Sequence, residues 1–231
     1  CTYEEALTRD PGVLRVGVLA HHPRGGTIGD DCIAAAESAG RMLESLGHSV
    51  EYAFPEVLSD PNTVSRFMAL WAVGAAMNVK SFSEMLGREI TSSDVELMNW
   101  VQAEFAQNMS GVDYASALAG VANYRRECLQ WWADGFDILV TPTLGETPPK
   151  IGEHDNNPER PMDPMRRAAE WIPFTPPFNT TGQPAISLPL HMAKNGLPVG
   201  VQFVADYGRD DLLISLAAQL EQAFPWGHIE A

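Results

Sequence analysis

Residues 14–54 carry a strand, a helix and a second strand in immediate succession, and nothing else in the 231-residue chain restricts the fold as strongly. After the turn Asp10-Pro11-Gly12, the run Leu14 to Ala20 is short and rich in β-branched residues, as strands are. Asp30 and Asp31 then offer an N-cap and first-turn negative charge, and Ile33, Ala36, Leu43 and Leu46 follow at helical spacing. Gly47 closes this helix, and Ser49 to Phe54 alternates as a strand. Two strands joined in this way run parallel in one sheet, which places the chain in the α/β class.

The middle third reads as helical, over Asn62 to about Leu86, Asp94 to Asn108 and Tyr114 to Trp132. Cys128 and the tryptophans of the third helix read as core, as do Met68, Trp71 and Met77 of the first. Asp137-Ile-Leu-Val-Thr-Pro142 is a strand running into a loop, the position where open α/β sheets place ligands. Residues 143–173 are proline-rich and nearly without periodicity, apart from a helical piece around Met165 to Trp171, so they read as a binding segment or lid. Asp206 to Asp211 caps a final helix carrying Leu212, Leu216, Leu220 and Phe224. No internal repeat or linker divides the sequence, which reads as one domain over 1–231.

Between these elements lies Pro173-Phe-Thr-Pro-Pro-Phe-Asn-Thr-Thr-Gly-Gln-Pro-Ala-Ile-Ser-Leu-Pro189, followed by Gly196-Leu-Pro-Val-Gly-Val-Gln-Phe-Val204. It reads as a rigid loop feeding two strands, Ala185 to Leu190 and Pro198 to Val204, joined by the turn Ala193 to Gly196. Pro176, Pro177 and Pro184 each lock φ, so the loop costs little entropy to hold and presents its side chains in one arrangement, as a pocket wall requires.

The ordered segments F-N-T-T-G-Q-P-A-I-S-L-P and G-L-P-V-G-V-Q-F-V, with a last helix ending Glu221 to Trp226, resemble the C-terminal end of the amidase signature family. The unit at 14–54 resembles the second half of the same family. That resemblance implies a three-layer α/β/α fold around a mixed sheet, with this chain as the C-terminal half of the domain and the N-terminal half of the same enzyme as its partner. It also implies cofactor-free hydrolysis of a carboxylic amide by a serine, a second serine in a cis peptide and a lysine base. In the family those three residues lie in a Gly/Ser-rich stretch that this sequence lacks. The only lysines here are Lys80, Lys150 and Lys194, and the only adjacent serines, Ser92-Ser93, are flanked by Thr91 and Asp94. No catalytic residue is therefore assigned. Taken position by position, the resemblance gives pocket roles to Thr141, Thr143, Trp171, Thr175 and Phe178, with a small-molecule amide as substrate. From the residues alone, Thr141 and Thr143 equally serve as turn hydrogen bonders, and Phe178 as core.

Other function classes are constrained by charge and by spacing. Thirty acidic against fifteen basic residues give a net charge of -15, which opposes nucleic-acid backbones and anionic membranes. No apolar stretch approaches the roughly 20 residues needed to span a bilayer. Three cysteines, Cys1, Cys32 and Cys128, form neither a disulfide framework nor a zinc motif, so a reducing cytoplasm is expected. Gly25-Gly26 lacks a phosphate-loop pattern, Asp206, Asp210 and Asp211 lack calcium-loop spacing, and the histidines are scattered, so no metal or cofactor is expected. A chain that begins at Cys1 rather than Met reads as a fragment, a processed product or a separate subunit, with a homodimer possible. Two alternatives stand beside the amidase reading: an N-terminal nucleophile hydrolase using Cys1, and a non-catalytic partner subunit.

Overall fold

The computed structural model describes residues 2–155 and 157–226, the side chains of residues 63, 64 and 66 excepted. They form two compact units, one comprising residues up to 59, 126–148 and from 172 onward, the other residues 60–125 and 149–171.

The first unit is built on the five-stranded mixed sheet formed by β1 (Arg15–Val18), β2 (Ser49–Glu51), β3 (Ile138–Pro142), β4 (Ala185–Met192) and β5 (Pro198–Ala205), in the order β2-β1-β3-β5-β4. β1 pairs in parallel with β2 and β3, whereas β5 is antiparallel to both β3 and β4. The parallel β1–β2 pair is the one expected from the 14–54 succession. Pro189 lies in β4, an edge strand where a missing N–H is tolerated, and the β4–β5 register breaks between Leu188 and His191.

Helix α1 (Tyr3–Leu7) begins with a capping box in which Thr2 and Glu5 bond each other's backbone N–H, and only its Ala6 is buried. Helix α2 (Asp30–Ser45) touches all five strands, and its buried positions Ala35, Ala36, Ala39 and Gly40 are small enough to let the backbones approach. Its N-cap is Gly29, so Asp30 and Asp31 stand in the first turn and act through their charge. The opposite face of β1 belongs to Gly17, where a Cβ would lie 2.6 Å from the Trp131 ring. Trp131 stacks on Phe136 with ring centroids 3.8 Å apart, and the Arg15 guanidinium lies over the Phe136 ring, 3.8 Å from its centroid.

The buried His48 side chain ties the β1 entry to the last helix. Its Nδ1 accepts from the Leu14 N–H at 3.2 Å, so the neutral ring carries its proton on Nε2, which donates to Gln219 Oε1 at 2.9 Å.

The second unit holds α3 (Thr63–Leu86), α4 (Leu97–Gln107), the first fifteen residues of α5 (Gly111–Ala133) and α6 (Asp163–Trp171). Among the described side chains of α3, Ala72 alone is buried. Trp71 and Met77, expected as core, are 44% and 66% exposed. Apolar residues lie on more than one face of α3, and only one stripe of a helix can be covered by a single neighbour, here α4. Ser92-Ser93 occupies an exposed turn held by Asp94, which accepts both terminal nitrogens of Arg88 and the Thr91 N–H. The Arg88 hydrogen bonds hold the Asp94 carboxyl well below the usual range.

The chain closes with α7 (Pro176–Thr181) and α8 (Asp210–Ala223), both in the first unit. α7 corrects the expectation of a loop at this point. Pro176 and Pro177 stand in its first turn, where a missing N–H costs no helical hydrogen bond, and Gly182 ends it at φ 72°. Within the expected capping stretch 206–211, Arg209 is the N-cap of α8 and Asp210 and Asp211 are inside the first turn.

Candidate substrate-facing site

Strand pairing sets Thr141 of β3, Gln202 of β5 and Ser187 of β4 side by side across the sheet. Thr141 is 1% exposed; its hydroxyl donates to the Pro142 carbonyl at 2.7 Å and accepts from Gln202 Nε2 at 3.1 Å. Gln202 Nε2 donates its second hydrogen to the Phe174 carbonyl at 3.3 Å. One residue beyond β3, Thr143 donates its N–H to Gly200 and its hydroxyl lies 2.6 Å from that of Ser187. Gly200 is the small residue this pairing needs, because a Cβ there would sit 2.6 Å from Ser187 Oγ and 2.9 Å from Thr143 Oγ1.

Thr175 occupies the N-cap position of α7 at φ -86° and ψ -36°, yet its side chain makes no capping hydrogen bond. The usual work of a threonine at a helix start is thus not what Thr175 does. Phe178 is 4% exposed, with its ring turned into the interior of the unit. Behind α7, Gln183 accepts from Thr181 Oγ1 at 3.0 Å and from Cys128 Sγ at 3.5 Å, and donates to the Ala205 carbonyl at 2.9 Å. Thr141, Thr143, Thr175 and Phe178 therefore belong to one unit, whereas Trp171 ends α6 of the other. Within that unit Trp171 lies beside His154, with ring centroids 5.5 Å apart, and neither Trp171 Nε1 nor His154 Nε2 has a hydrogen-bond partner among the described residues.

Gln202 and Ser187 escape a sequence reading. The available signal is a glutamine between Val201 and Phe203 in an otherwise apolar strand, which marks a polar group that must find partners in the interior.

Lys80, Lys150 and Lys194 are all exposed, and none lies in an enclosed pocket beside a serine. No cluster of three His, Cys, Asp or Glu side chains able to hold a metal occurs among the described residues, and no helix there is long and apolar enough to cross a membrane. Cys1 lies outside the described residues. Burial pushes the Cys32 thiol up to about 11, aided by the charges of Asp31 and Glu146, and pushes Cys128 up to about 12. The reactive species is the thiolate, which at pH 8 is on the order of a thousandth or less of either thiol. A thiol reagent at pH 8 should therefore leave Cys32 and Cys128 unlabelled in the native protein and label both in denaturant, as peptide mapping will read.

The profile of the Amidase family matches residues 1–214. The chain is 38% identical over 230 residues to the 6-aminohexanoate-cyclic-dimer hydrolase of Pseudomonas sp. (strain NK87), covering 97% of itself and 47% of that protein. It is 35% identical over 192 residues to the putative amidase AmiC of Mycobacterium leprae (strain TN), covering 82% of itself and 40% of that relative. Its fold superposes on the solved structure of 6-aminohexanoate cyclic dimer hydrolase with a TM-score of 0.92 at 38% identity, over 97% of this chain and 48% of that one. A bacterial aryl acylamidase of the amidase signature family shares the fold alone, with a TM-score of 0.76 at 19% identity. The chain spans about half the length of the curated relatives it matches.

Proposed function

The chain belongs to the amidase signature family, and from that premise we propose that it supplies the substrate-facing wall of an amide hydrolase whose serine nucleophile and lysine base lie on residues outside this sequence. The observation that carries the reading is the threonine at the start of α7. Thr175 is half-buried, leaves its helix uncapped, and directly follows the residue whose carbonyl Gln202 holds. A hydroxyl in that position is suited to hydrogen-bonding a substrate's amide or carbonyl. The exposure of all three lysines supports the second half of the proposal, since a serine hydroxyl needs a desolvated acceptor within hydrogen-bond reach to become a nucleophile.

The substrate class that fits is an amide flanked by an aliphatic stretch. A relative at 38% identity is named for hydrolysis of the 6-aminohexanoate cyclic dimer, which is therefore the first compound to try. Thr141 enters this picture as support for the wall, since its hydroxyl is already used on both sides. Thr143 shares its hydroxyl with Ser187, and the pair forms the polar end of the wall. Phe178 is its apolar member. The working assembly is the full protein, with this chain as part of a single amidase domain and the cytoplasm as its compartment.

The test is kinetic and uses the full-length enzyme. Thr175→Val keeps the shape and removes the hydroxyl, and the expected result is a rise in KM of about tenfold, the value of one lost hydrogen bond, with little change in melting temperature. Phe178→Ala mixes the pocket with the core, because truncating so buried a ring costs about 3–5 kcal/mol of stability. Phe178→Leu is the better probe, and should change the preference among amides of different acyl length. Unchanged constants for both Thr175→Val and Phe178→Leu across such a series would remove these residues from the pocket.

A further inference from the structure

We propose that Gln202 is a positioning residue that sets the direction of Thr175, an inference that rests on the pocket reading given above. Its side chain is 5% exposed, and both hydrogens of its amide nitrogen are used, one on Thr141 Oγ1 and one on the Phe174 carbonyl. Thr141 Oγ1 gives its own hydrogen to the Pro142 carbonyl, so toward Gln202 it can only accept. The rotation of the amide is thereby fixed: the nitrogen must face Thr141 and Phe174. A single side chain on β5 thus joins the end of β3 to the segment entering α7, across 61 and 28 positions of sequence.

The backbone explains why one hydrogen bond at Phe174 suffices. Pro173 fixes its own φ, and Pro176 and Pro177 fix theirs, which narrows the conformations open to Phe174 and Thr175 between them. Phe174 is 2% exposed, which holds its side chain. The orientation of the peptide plane between Phe174 and Thr175 is set by the Gln202 bond to the Phe174 carbonyl. The Thr175 carbonyl accepts from the Phe178 and Asn179 N–H groups on the α7 side, while its side chain makes no capping bond that would fix the hydroxyl otherwise. Its hydroxyl direction, and the first turn of α7 that carries Phe178, therefore follow from Gln202.

The experiment compares Gln202→Met, which keeps the length and removes both donors, with Thr175→Val and with the double variant, all in the full-length enzyme and assayed well below each melting temperature. The expected result is a fall of about ten- to a hundredfold in kcat/KM for Gln202→Met, the range expected when a contact is misplaced by about 1 Å. Because Gln202 acts through Thr175, the double variant should be no worse than Gln202→Met alone. Should Gln202→Met fail to fold, Thr141→Val removes one anchor and should lower kcat/KM, while Thr141→Ser restores the acceptor and the rate. A lower melting temperature with kcat/KM per folded molecule unchanged would overturn the proposal, as would losses that multiply in the double variant or a Thr141→Val enzyme as fast as Thr141→Ser. If Thr175→Val alone is without effect, Thr175 leaves the pocket and this inference falls with it; if Thr175→Val is impaired and Gln202→Met is not, the pocket stands and Gln202 alone is dismissed.

Discussion

Purified by itself, the 231-residue chain should turn over no amide at a rate distinguishable from buffer. A serine hydrolase loses on the order of a millionfold in kcat when its nucleophile or its base is removed, and this chain offers neither in usable form. Its three lysines are all exposed, and Ser92-Ser93 sits in an exposed turn whose neighbours Arg88 and Asp94 are engaged with each other. The measurement is product release from the 6-aminohexanoate cyclic dimer and from simple aliphatic amides, with the full-length enzyme as the positive control. Robust turnover by the chain alone would defeat the proposed division of labour. If that turnover then vanished in Cys1→Ala, the N-terminal nucleophile alternative would take its place.

The second large effect concerns solution behaviour. Along α3, Trp71, Met77, Phe82, Met85 and Leu86 are all more than 40% exposed, Phe105 of α4 is 61% exposed and Val112 of α5 is 75% exposed. Monomeric proteins rarely leave contiguous apolar patches beyond a few hundred Å², and an obligate interface buries roughly 2,000 Å² or more. At about 25 cal/mol per Å² of apolar area, uncovering such a surface forfeits tens of kcal/mol, against a net stability of only about 5–15 kcal/mol. Among the described residues, both edge strands of the five-stranded sheet, β2 and β4, also present an unpaired side. Expressed alone, the chain is expected to self-associate or to bind an apolar dye as a loosely packed state. Light scattering and dye fluorescence decide it. A monomer that unfolds cooperatively at an ordinary mesophile temperature would show that these 231 residues close their own core, and the half-domain proposal would be withdrawn.

How much of this was legible beforehand depends on whether the signal is local. Periodicity and punctuation act over a few residues, so the strand-helix-strand unit at 14–54, the helices of the middle third and the strand at 138–142 were each readable from their own residues. The edge position of β4 came from the structure, and Pro189, which cannot donate to a ladder, is compatible with it. The proline pair at 176–177 was ambiguous for the same local reason: a fixed φ near -65° suits a rigid loop and the first turn of a helix equally, and only the left-handed Gly182 with its hydrogen bond to Phe178 made it a helix.

What the sequence determined alone was the family, the α/β class and the lack of the family's Gly/Ser-rich catalytic stretch, since order of motifs and residue identity need no coordinates. Tertiary structure decided which side chains meet. Thr141 and Gln202 are 61 positions apart and face each other only because β3 and β5 run antiparallel in one particular register. Trp71 reads as core from its residue type, yet burial depends on what lies across from a helix face, and no side chain carries that information about its own surroundings.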